Sequence, residues 1–304
     1  MNIELSKETI EKYKKSGLIA AKALKHGKNL VKEGNSLVYV MDEIEKKIEG
    51  LGGKIAFPAQ ISLNNVAAHY CSTDEKEVFK EGDVVKIDVG AHVDGFIGDC
   101  ALTVYLGEDE NLKRLLESSR AALENALKIV KAGIKISEIG REIQKTIVSF
   151  GFNPVRNLSG HGLEQFNLHA EPSIPNYDTS STLALKNNTV IAIEPFSSTG
   201  IGIVGDSGTA TVFSMIKSKP VRERTARKIL KEIESYNGLP FAKRWFYKKY
   251  PKLLVDNAIR EFLNNQIIAD YKPLSDIGKG IVSQFEHTVI VRDEKSIVTT
   301  QVED

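Results

Sequence analysis

Apolar residues recur at helical spacing between Gly34 and Gly52. Steps of three and four residues place them along one face of a helix. Ser36 stands where an N-cap is expected, and Gly52 provides a C-terminal stop. The segment predicts an amphipathic helix, and its buried stripe is Leu37, Val40, Met41, Ile44 and Ile48.

The same layout returns between Gly133 and Gly151, with apolar positions at Ile136, Ile139, Ile143 and Ile147. Another predicted helix precedes each copy, at 7–31 and 111–131. Any two amphipathic helices share an apolar stripe, so the stripe alone means little. Matching glycines at both ends favour an internal duplication.

Short β-rich runs follow each copy, and each run carries a carboxylate. The runs 83–88 and 189–194 end in Asp88 and Glu194, whereas 98–104 and 285–291 carry Asp99 and Glu286 near their starts. The pattern predicts an α+β fold of two halves related by a pseudo-twofold axis. A site shared between the halves would have four carboxylates.

A long insertion at 216–271 separates the two strands of the second half. The runs 222–238 and 241–266 have helical patterns, and Gly238-Leu239-Pro240 breaks them apart. We expect a helical insertion subdomain at 216–271 and a catalytic domain formed by 1–215 and 272–304.

Composition narrows the class of protein. The 304 residues include 41 basic and 40 acidic ones, and this balance excludes a chain-wide polycation built to coat nucleic acid. Glu4 and Glu8 interrupt the N-terminus where a secretory signal needs an apolar run, and no run reaches the length of a membrane span. We therefore expect a cytoplasmic protein without membrane association.

Cys71 and Cys100 form no CxxC pattern, so any metal site must use oxygen and nitrogen ligands.

Asp88 and Asp99 lie on the two strands of a predicted hairpin. A two-residue turn at Val93-Asp94 sets them directly opposite, whereas a turn at Asp94-Gly95 sets them diagonally on the same face. A three-residue loop would separate them. Solvent-facing strand positions are the ordinary alternative, but apolar neighbours on both strands favour a metal-binding or catalytic role.

Three histidines lie in distinctive surroundings. His69 follows a run of small residues, His161 stands between two glycines, and His169 comes eight residues later. Each alone fits an ordinary packing or surface histidine, which is how His26 and His92 are interpreted. Beside four carboxylates, however, an imidazole between glycines is a strong candidate metal ligand.

Five motifs resemble the type 2 methionine aminopeptidases, the archaeal and eukaryotic branch of that family. They are NNVAAHY (64–70), KIDVGAHVDGFIGDCALTV (86–104), NLSGHG (157–162), IAIEPFSSTG (191–200) and QFEHTVIV (284–291). The motifs keep the family's order over nearly the whole chain, with a long insertion before the last carboxylate. The resemblance implies the duplicated "pita-bread" fold and a dinuclear metal site.

The resemblance also implies a role for each matching position. Asp88 would chelate one metal, Asp99 and Glu286 would bridge the pair, and His161 with Glu194 would bind the other. His287 should lie on the opposite face of its strand from Glu286 and be structural. Such ligands suit Mn, Fe, Co or Zn, and the sequence does not select among these ions.

The implied activity is hydrolysis of the first peptide bond of nascent polypeptides that begin with methionine, with preference for a small second residue. Glu194 would be the general base, and His69 and His169 would contact the substrate and the developing oxyanion. Phe57 and Leu168 are candidates for an apolar methionine slot, although Phe57 also fits an ordinary core position.

Two other functions remain open. An Xaa-Pro dipeptidase or aminopeptidase P would use a similar ligand set, but those enzymes carry a large N-terminal domain, and here the motifs begin by residue 57. A non-catalytic, ribosome-associated protein of the same fold would be expected to have lost ligands, and none is missing.

The near-neutral total hides a basic segment. Residues 217–250 contain eleven basic and three acidic residues, a local charge of +8 in a chain whose total is +1. A solvated helical face is the ordinary interpretation. An enzyme of nascent chains could instead use this segment to dock on ribosomal RNA. We expect the protein to be a monomer.

Overall fold

The computed structural model describes residues 5–301. The helices are α1 (Lys7–Leu30), α2 (Leu37–Gly50), α3 (Glu110–Ile129), α4 (Ile136–Ser149), α5 (Arg224–Glu234), α6 (Lys243–Tyr247) and α7 (Lys252–Asn264). The strands are β1 (Lys54–Leu63), β2 (Val66–Ala68), β3 (Val84–Val93), β4 (Phe96–Tyr105), β5 (Asn153–Pro154), β6 (Ser159–Glu164), β7 (Asn167–Pro175), β8 (Val190–Ile193), β9 (Phe196–Ser198), β10 (Val204–Asp206), β11 (Val212–Met215), β12 (Phe241–Ala242), β13 (Ile268–Tyr271), β14 (Leu274–Asp276), β15 (Val282–Gln284), β16 (Glu286–Ile290) and β17 (Ile297–Val298).

The repeated helix pairs form as the apolar pattern predicts. Ser36 caps α2 by accepting a hydrogen bond from the backbone N–H of Tyr39. The glycines that frame the two copies all have positive φ, a backbone conformation that costs glycine little. These four are Gly34, Gly52, Gly133 and Gly151, with φ of 82°, 80°, 84° and 87°.

The main sheet joins the two halves. Its strand order is β1-β3-β4-β16-β8-β6-β7, and β17 pairs with β16. Strand β16 contacts β4 of the first half on one side and β8 of the second half on the other. The sheet is curled. Its two ends come together, since the turn after β6 contacts the turn after β3, and the backbone N–H of Phe166 donates to the carbonyl of Gly95 at 2.9 Å. The carboxylate-bearing strands therefore line one concave surface.

Each half has its own apolar core. Helices α1 and α2 pack on β1, β3 and β4 around residues such as Met41 and Ile87, whereas α3 and α4 pack with β8 and β16 around Ile143 and Val289. Helix α1 lies close to its neighbours at Gly17. A Cβ at Gly98 would lie 2.4 Å from the Gly17 Cα, so only glycine permits this contact.

The insertion contains more than helices. Strands β12 and β13 pair with β11, and α5 to α7 enclose a separate apolar core with Phe213, Phe246 and Phe262. A helix over all of 241–266 is therefore wrong in two places. Phe241 and Ala242 pair with β11, and Pro251 separates α6 from α7 because proline cannot donate a helical hydrogen bond.

Within residues 5–301, no helix is both long enough and apolar enough to cross a membrane.

Candidate metal centre and substrate pocket

The β3–β4 hairpin adopts the second of the two predicted registers. Asp94 and Gly95 occupy the turn with φ of 52° and 87°, the left-handed pair that a tight hairpin turn requires. Gly90 consequently lies opposite Asp99, and Asp88 lies opposite Ala101. The two aspartates are diagonal neighbours on one face of the sheet.

The remaining carboxylates continue the same row across the sheet. Ala101 is paired with Asp88 on one side and with Glu286 on the other, so both carboxylates share its face. His287 pairs with Ile193, which places Glu194, the next residue, at the end of β8 opposite Glu286. Four carboxylates from β3, β4, β16 and the end of β8 therefore converge.

His161 completes the cluster from β6. Its Nε2 lies 3.5 Å from Oε1 of Glu194 and 3.8 Å from Oδ2 of Asp99. Within the described residues, ligand atoms of Asp99, His161 and Glu286 lie within 4.8 Å of one another, close enough to hold a metal ion. His287 lies on the other face, where its Nδ1 is 2.9 Å from the Thr300 hydroxyl.

The electrostatics of the cluster call for a cation. Burial raises the pKa of Asp88 to about 7. Burial, followed by repulsion from neighbouring carboxylates, raises the pKa values of Asp99, Glu194 and Glu286 well above their usual range. Among residues 5–301, three buried carboxylate oxygens have no hydrogen-bond partner, namely Asp88 Oδ1, Asp99 Oδ1 and Glu286 Oε1. Such oxygens are costly unless a metal ion coordinates them.

The tautomer of His161 suits a metal ligand. Its Nδ1 lies 3.1 Å from the carbonyl of Gly162, to which it donates, and its Nε2 faces the carboxylates with a free lone pair. Burial is the main cause that lowers the His161 pKa to about 3, so the ring is neutral at physiological pH. The residues present therefore fit a divalent metal site.

Neighbouring polar groups hold the carboxylates in place. The Thr288 hydroxyl accepts from the backbone N–H of Asp99 and donates to its carbonyl, both at 2.8 Å. The Nε2 of Gln284 lies 3.4 Å from Glu194 and 3.3 Å from Glu286. The sequence does not mark Thr288 or Gln284, because no spacing identifies a residue that supports a ligand.

The carboxylates open into a cavity of about 220 Å³. All nine sequence-predicted site residues line it: Phe57, His69, Asp88, Asp99, His161, Leu168, His169, Glu194 and Glu286. A larger groove of about 840 Å³ shares Pro240 with this cavity but contains none of the clustered carboxylates. The smaller cavity is therefore the candidate active site.

Tyr271 is a pocket residue that the sequence did not reveal. The His69 ring meets it edge-on at a centroid distance of 5.5 Å, and the His169 ring lies 6.2 Å away. His169 also contacts His161 edge-on at 4.8 Å. Tyr271 ends β13, so a residue of the insertion segment completes the pocket, and only the folded chain brings it there.

His69 has an unusual backbone conformation that a side chain supports. Its φ is 64°, in the left-handed region, and its backbone N–H donates to Oε1 of Gln60 at 2.8 Å. Burial lowers the His69 pKa to about 4, so the ring is neutral.

Known proteins resemble the chain along nearly its full length. A sequence model of metallopeptidase family M24 matches residues 11–293. The chain is 43% identical to the methionine aminopeptidase of Archaeoglobus fulgidus over 97% of this chain and 99% of that protein. It is 45% identical to that of Thermococcus onnurineus, covering 94% and 97%. The crystal structure of a methionine aminopeptidase from Thermotoga maritima matches with a TM-score of 0.73 at 27% identity, covering 99% and 100%.

Proposed function

The chain belongs to metallopeptidase family M24, and from that premise we propose that it removes the N-terminal methionine of polypeptides whose second residue is small. The observation that carries the proposal is the convergence of four carboxylates and His161 on one buried pocket. The resemblance to methionine aminopeptidases and the duplicated fold, both expected from the sequence, are confirmed.

The pocket would hold two divalent ions. In the proposed arrangement Asp88 serves one ion, Asp99 and Glu286 serve both, and His161 with Glu194 serves the other. The oxygens without partners and the neutral His161 support this assignment. Divalent ions supply Lewis acidity, which makes water a better nucleophile and a peptide carbonyl a better electrophile at neutral pH. Co, Mn, Fe and Zn all suit these ligands.

Glu194 is the proposed proton carrier. Its side chain is 12% exposed, against 4% for Asp99, so it lies nearer the open part of the cavity. A carboxylate oxygen of Glu194 would accept the proton of the attacking water and return it to the amine nitrogen of the departing polypeptide. Gln284 donates to Glu194 and thereby restrains its direction.

The two pocket histidines would take different roles. In a neutral imidazole one nitrogen donates and the other accepts. The neutral His69 ring meets Tyr271 edge-on and would contact the bound polypeptide through one of its nitrogens. His169, which contacts both His161 and Tyr271, is the proposed donor to the oxyanion.

The proposed methionine slot is apolar. Phe57 and Leu168 belong to one buried cluster and also line the cavity, so packing fixes both side chains. Pro240 and Tyr271 add to the lining. A polar first side chain would lose its hydrogen bonds to water on entering this slot, which favours methionine.

A peptide series tests the activity. We expect protein stripped of metal to be inactive on Met-Ala-Ser and to regain turnover when Co or Mn is added. Met-Trp-Ser, with a large second residue, should be a poor substrate. Cleavage of Xaa-Pro peptides with Met-Ala-Ser left whole would favour a prolidase-like enzyme. No turnover of either substrate by metal-loaded protein would favour a binding protein.

We also propose that the protein is a monomer that contacts ribosomal RNA through α5. Four basic residues of 217–250 are engaged in ion pairs within the chain: Lys243, Arg244, Lys248 and Lys249. Helix α5 still presents an exposed basic face, which is Arg224, Arg227, Lys228 and Lys231. These positions follow helical spacing, as docking on phosphates requires.

Co-sedimentation with ribosomes tests this contact. Reversing the four α5 charges should abolish a binding that weakens steeply with salt. A control should reverse four exposed lysines of the catalytic domain: Lys32, Lys47, Lys76 and Lys80. Equal loss in both variants, or no binding by the wild type, would contradict the proposal. Gel filtration at the mass of a dimer would contradict the monomer.

A further inference from the structure

We propose that Gln60 is a positioning residue that holds His69 in the orientation the reaction uses. The proposal rests on the proposed function, because it assigns to His69 a contact with the bound polypeptide. Gln60 lies on β1 directly opposite Asp88, next to the metal-binding row, and its side chain lines the same cavity as His69. The register of β1 shifts between Phe57 and Gln60, and from Gln60 to Leu63 the strand pairs regularly with β3, so Gln60 shares the face of Asp88.

The backbone at His69 needs an unusual acceptor. Strand β2 ends at Ala68, and His69 then turns the chain through the left-handed region, with φ of 64°. One residue further along, an ordinary backbone hydrogen bond joins the same two segments: the N–H of Ile61 donates to the carbonyl of Tyr70 at 3.0 Å. At His69 the acceptor is instead the side-chain Oε1 of Gln60, at 2.8 Å. A side chain thus takes the place of a ladder carbonyl.

This bond decides where the imidazole lies. A non-glycine residue keeps a left-handed conformation only when its surroundings enforce it. The ring packs edge-on against Tyr271, while the backbone N–H is held by Gln60. Gln60 is only 7% exposed, so solvent does not readily supply a replacement acceptor. Without Gln60 the backbone would relax and carry the ring away from the substrate.

The test replaces Gln60 by methionine, which keeps the length of the side chain and removes the acceptor. We expect kcat on Met-Ala-Ser to fall about 10-fold to 100-fold through misplacement of His69, with wild-type metal content. The matched control is Gln144→Met. Gln144 on α4 accepts the same kind of bond, from the backbone N–H of Asp178 at 3.0 Å, and lies outside the cavity, so kcat and KM should be unchanged.

A double-variant cycle separates positioning from general damage. If Gln60 acts through His69, then Gln60→Met should cause no further loss of kcat in a His69→Ala background. Equal losses in both backgrounds, or unchanged kcat and KM for Gln60→Met alone, would overturn the proposal. Absence of turnover in the wild type would instead count against the proposed function.

Amide exchange tests the contact without any reaction. The chain has six histidines, so ¹⁵N-histidine labelling gives a small set of amide signals, and His69→Ala identifies the one from His69. We expect exchange at His69 to become at least about tenfold faster in Gln60→Met and to stay unchanged in Gln144→Met. Unchanged protection in Gln60→Met would show that another group holds this N–H, and would overturn the proposal even in an inactive protein.

Discussion

Replacing Arg244 by methionine would test how the insertion is fastened to the rest of the chain. Arg244 begins the buried part of α6 and is 3% exposed. Its guanidinium forms ion pairs with Asp42 and Glu45 of α2, and its Nε donates to Sγ of Cys71 at 3.2 Å. Methionine keeps much of the apolar stem but leaves Glu45 buried without its cation.

The expected loss of stability depends on the hydrogen bonds that Glu45 keeps when Arg244 is replaced. Removing one partner of a buried ion pair costs about 3 to 5 kcal/mol. Glu45 still accepts from the backbone N–H of Ala59 at 3.1 Å and from Nε1 of Trp245 at 2.9 Å. We therefore expect the lower end, about 3 kcal/mol, which for 304 residues corresponds to a fall in Tm of about 5 °C.

The loss of stability caused by Arg244→Met should depend on pH. Burial raises the pKa of Glu45, and the charge of Arg244 opposes that rise. Without Arg244 the folded-state pKa climbs further above the unfolded value. A group with a raised folded-state pKa stabilises the fold below its unfolded pKa, and this stability is lost as pH rises through the folded pKa. The difference in unfolding free energy between Arg244→Met and the wild type should thus be largest at about pH 8 and shrink toward about pH 5.

Thermal and urea unfolding of metal-loaded protein measure the difference. Arg224→Met, at an exposed position of α5, is the control and should stay within about 0.5 kcal/mol of wild type. Adding Glu45→Gln to Arg244→Met removes the unpaired charge and should restore part of the stability. The reasoning is refuted if Arg244→Met costs less than about 1 kcal/mol, or if Glu45→Gln makes the variant still less stable.

Three further results are expected. Asp99→Ala should abolish binding of the metal pair in calorimetry, whereas Asp94→Ala, at an exposed turn of the same hairpin, should bind two ions; full metal retention by Asp99→Ala would reject the site. His169→Ala should lower kcat by about 10²-fold with metal content unchanged, and a parallel loss of metal would assign it to the ligands instead. Gly98→Ala should destabilise the fold by about 1 to 3 kcal/mol, because the Cβ meets backbone of α1. Gly50→Ala meets nothing within 4 Å and should stabilise α2 by about 0.5 to 1 kcal/mol in the same urea titration.

Much of the framework could be predicted because its signals are local. Glycines such as Gly34 and Gly133 mark helix starts through their backbone preferences, and both copies formed where the pattern placed them. From the sequence, either two-residue turn places Asp88 and Asp99 on one face, whereas a three-residue loop would separate them. The choice among these turns depended on Asp94 and Gly95 both taking left-handed conformations, which the residue types permit but do not dictate.

Other features depend on contacts between distant parts of the chain. Arg244 counted as one more charge of a basic helical face, yet it is buried against Asp42 and Glu45, about two hundred residues earlier. Gln60 and Tyr271 carry no motif, and only the folded backbone brings them beside His69. Local patterns identify groups that do chemistry better than the groups that hold them.

The position of β16 in the sheet has a consequence for the order of assembly. This strand comes later in the chain than both of its neighbours, β4 and β8, so each half presents an unpaired edge until β16 inserts. Asp88 and Asp99 belong to one half, His161 and Glu194 to the other, and Glu286 to the strand that joins them. A chain whose last central strand has not docked would hold two incomplete sets of the proposed ligands. Tight metal binding would then report that the two halves have closed, and a half-folded chain could not hydrolyse peptides.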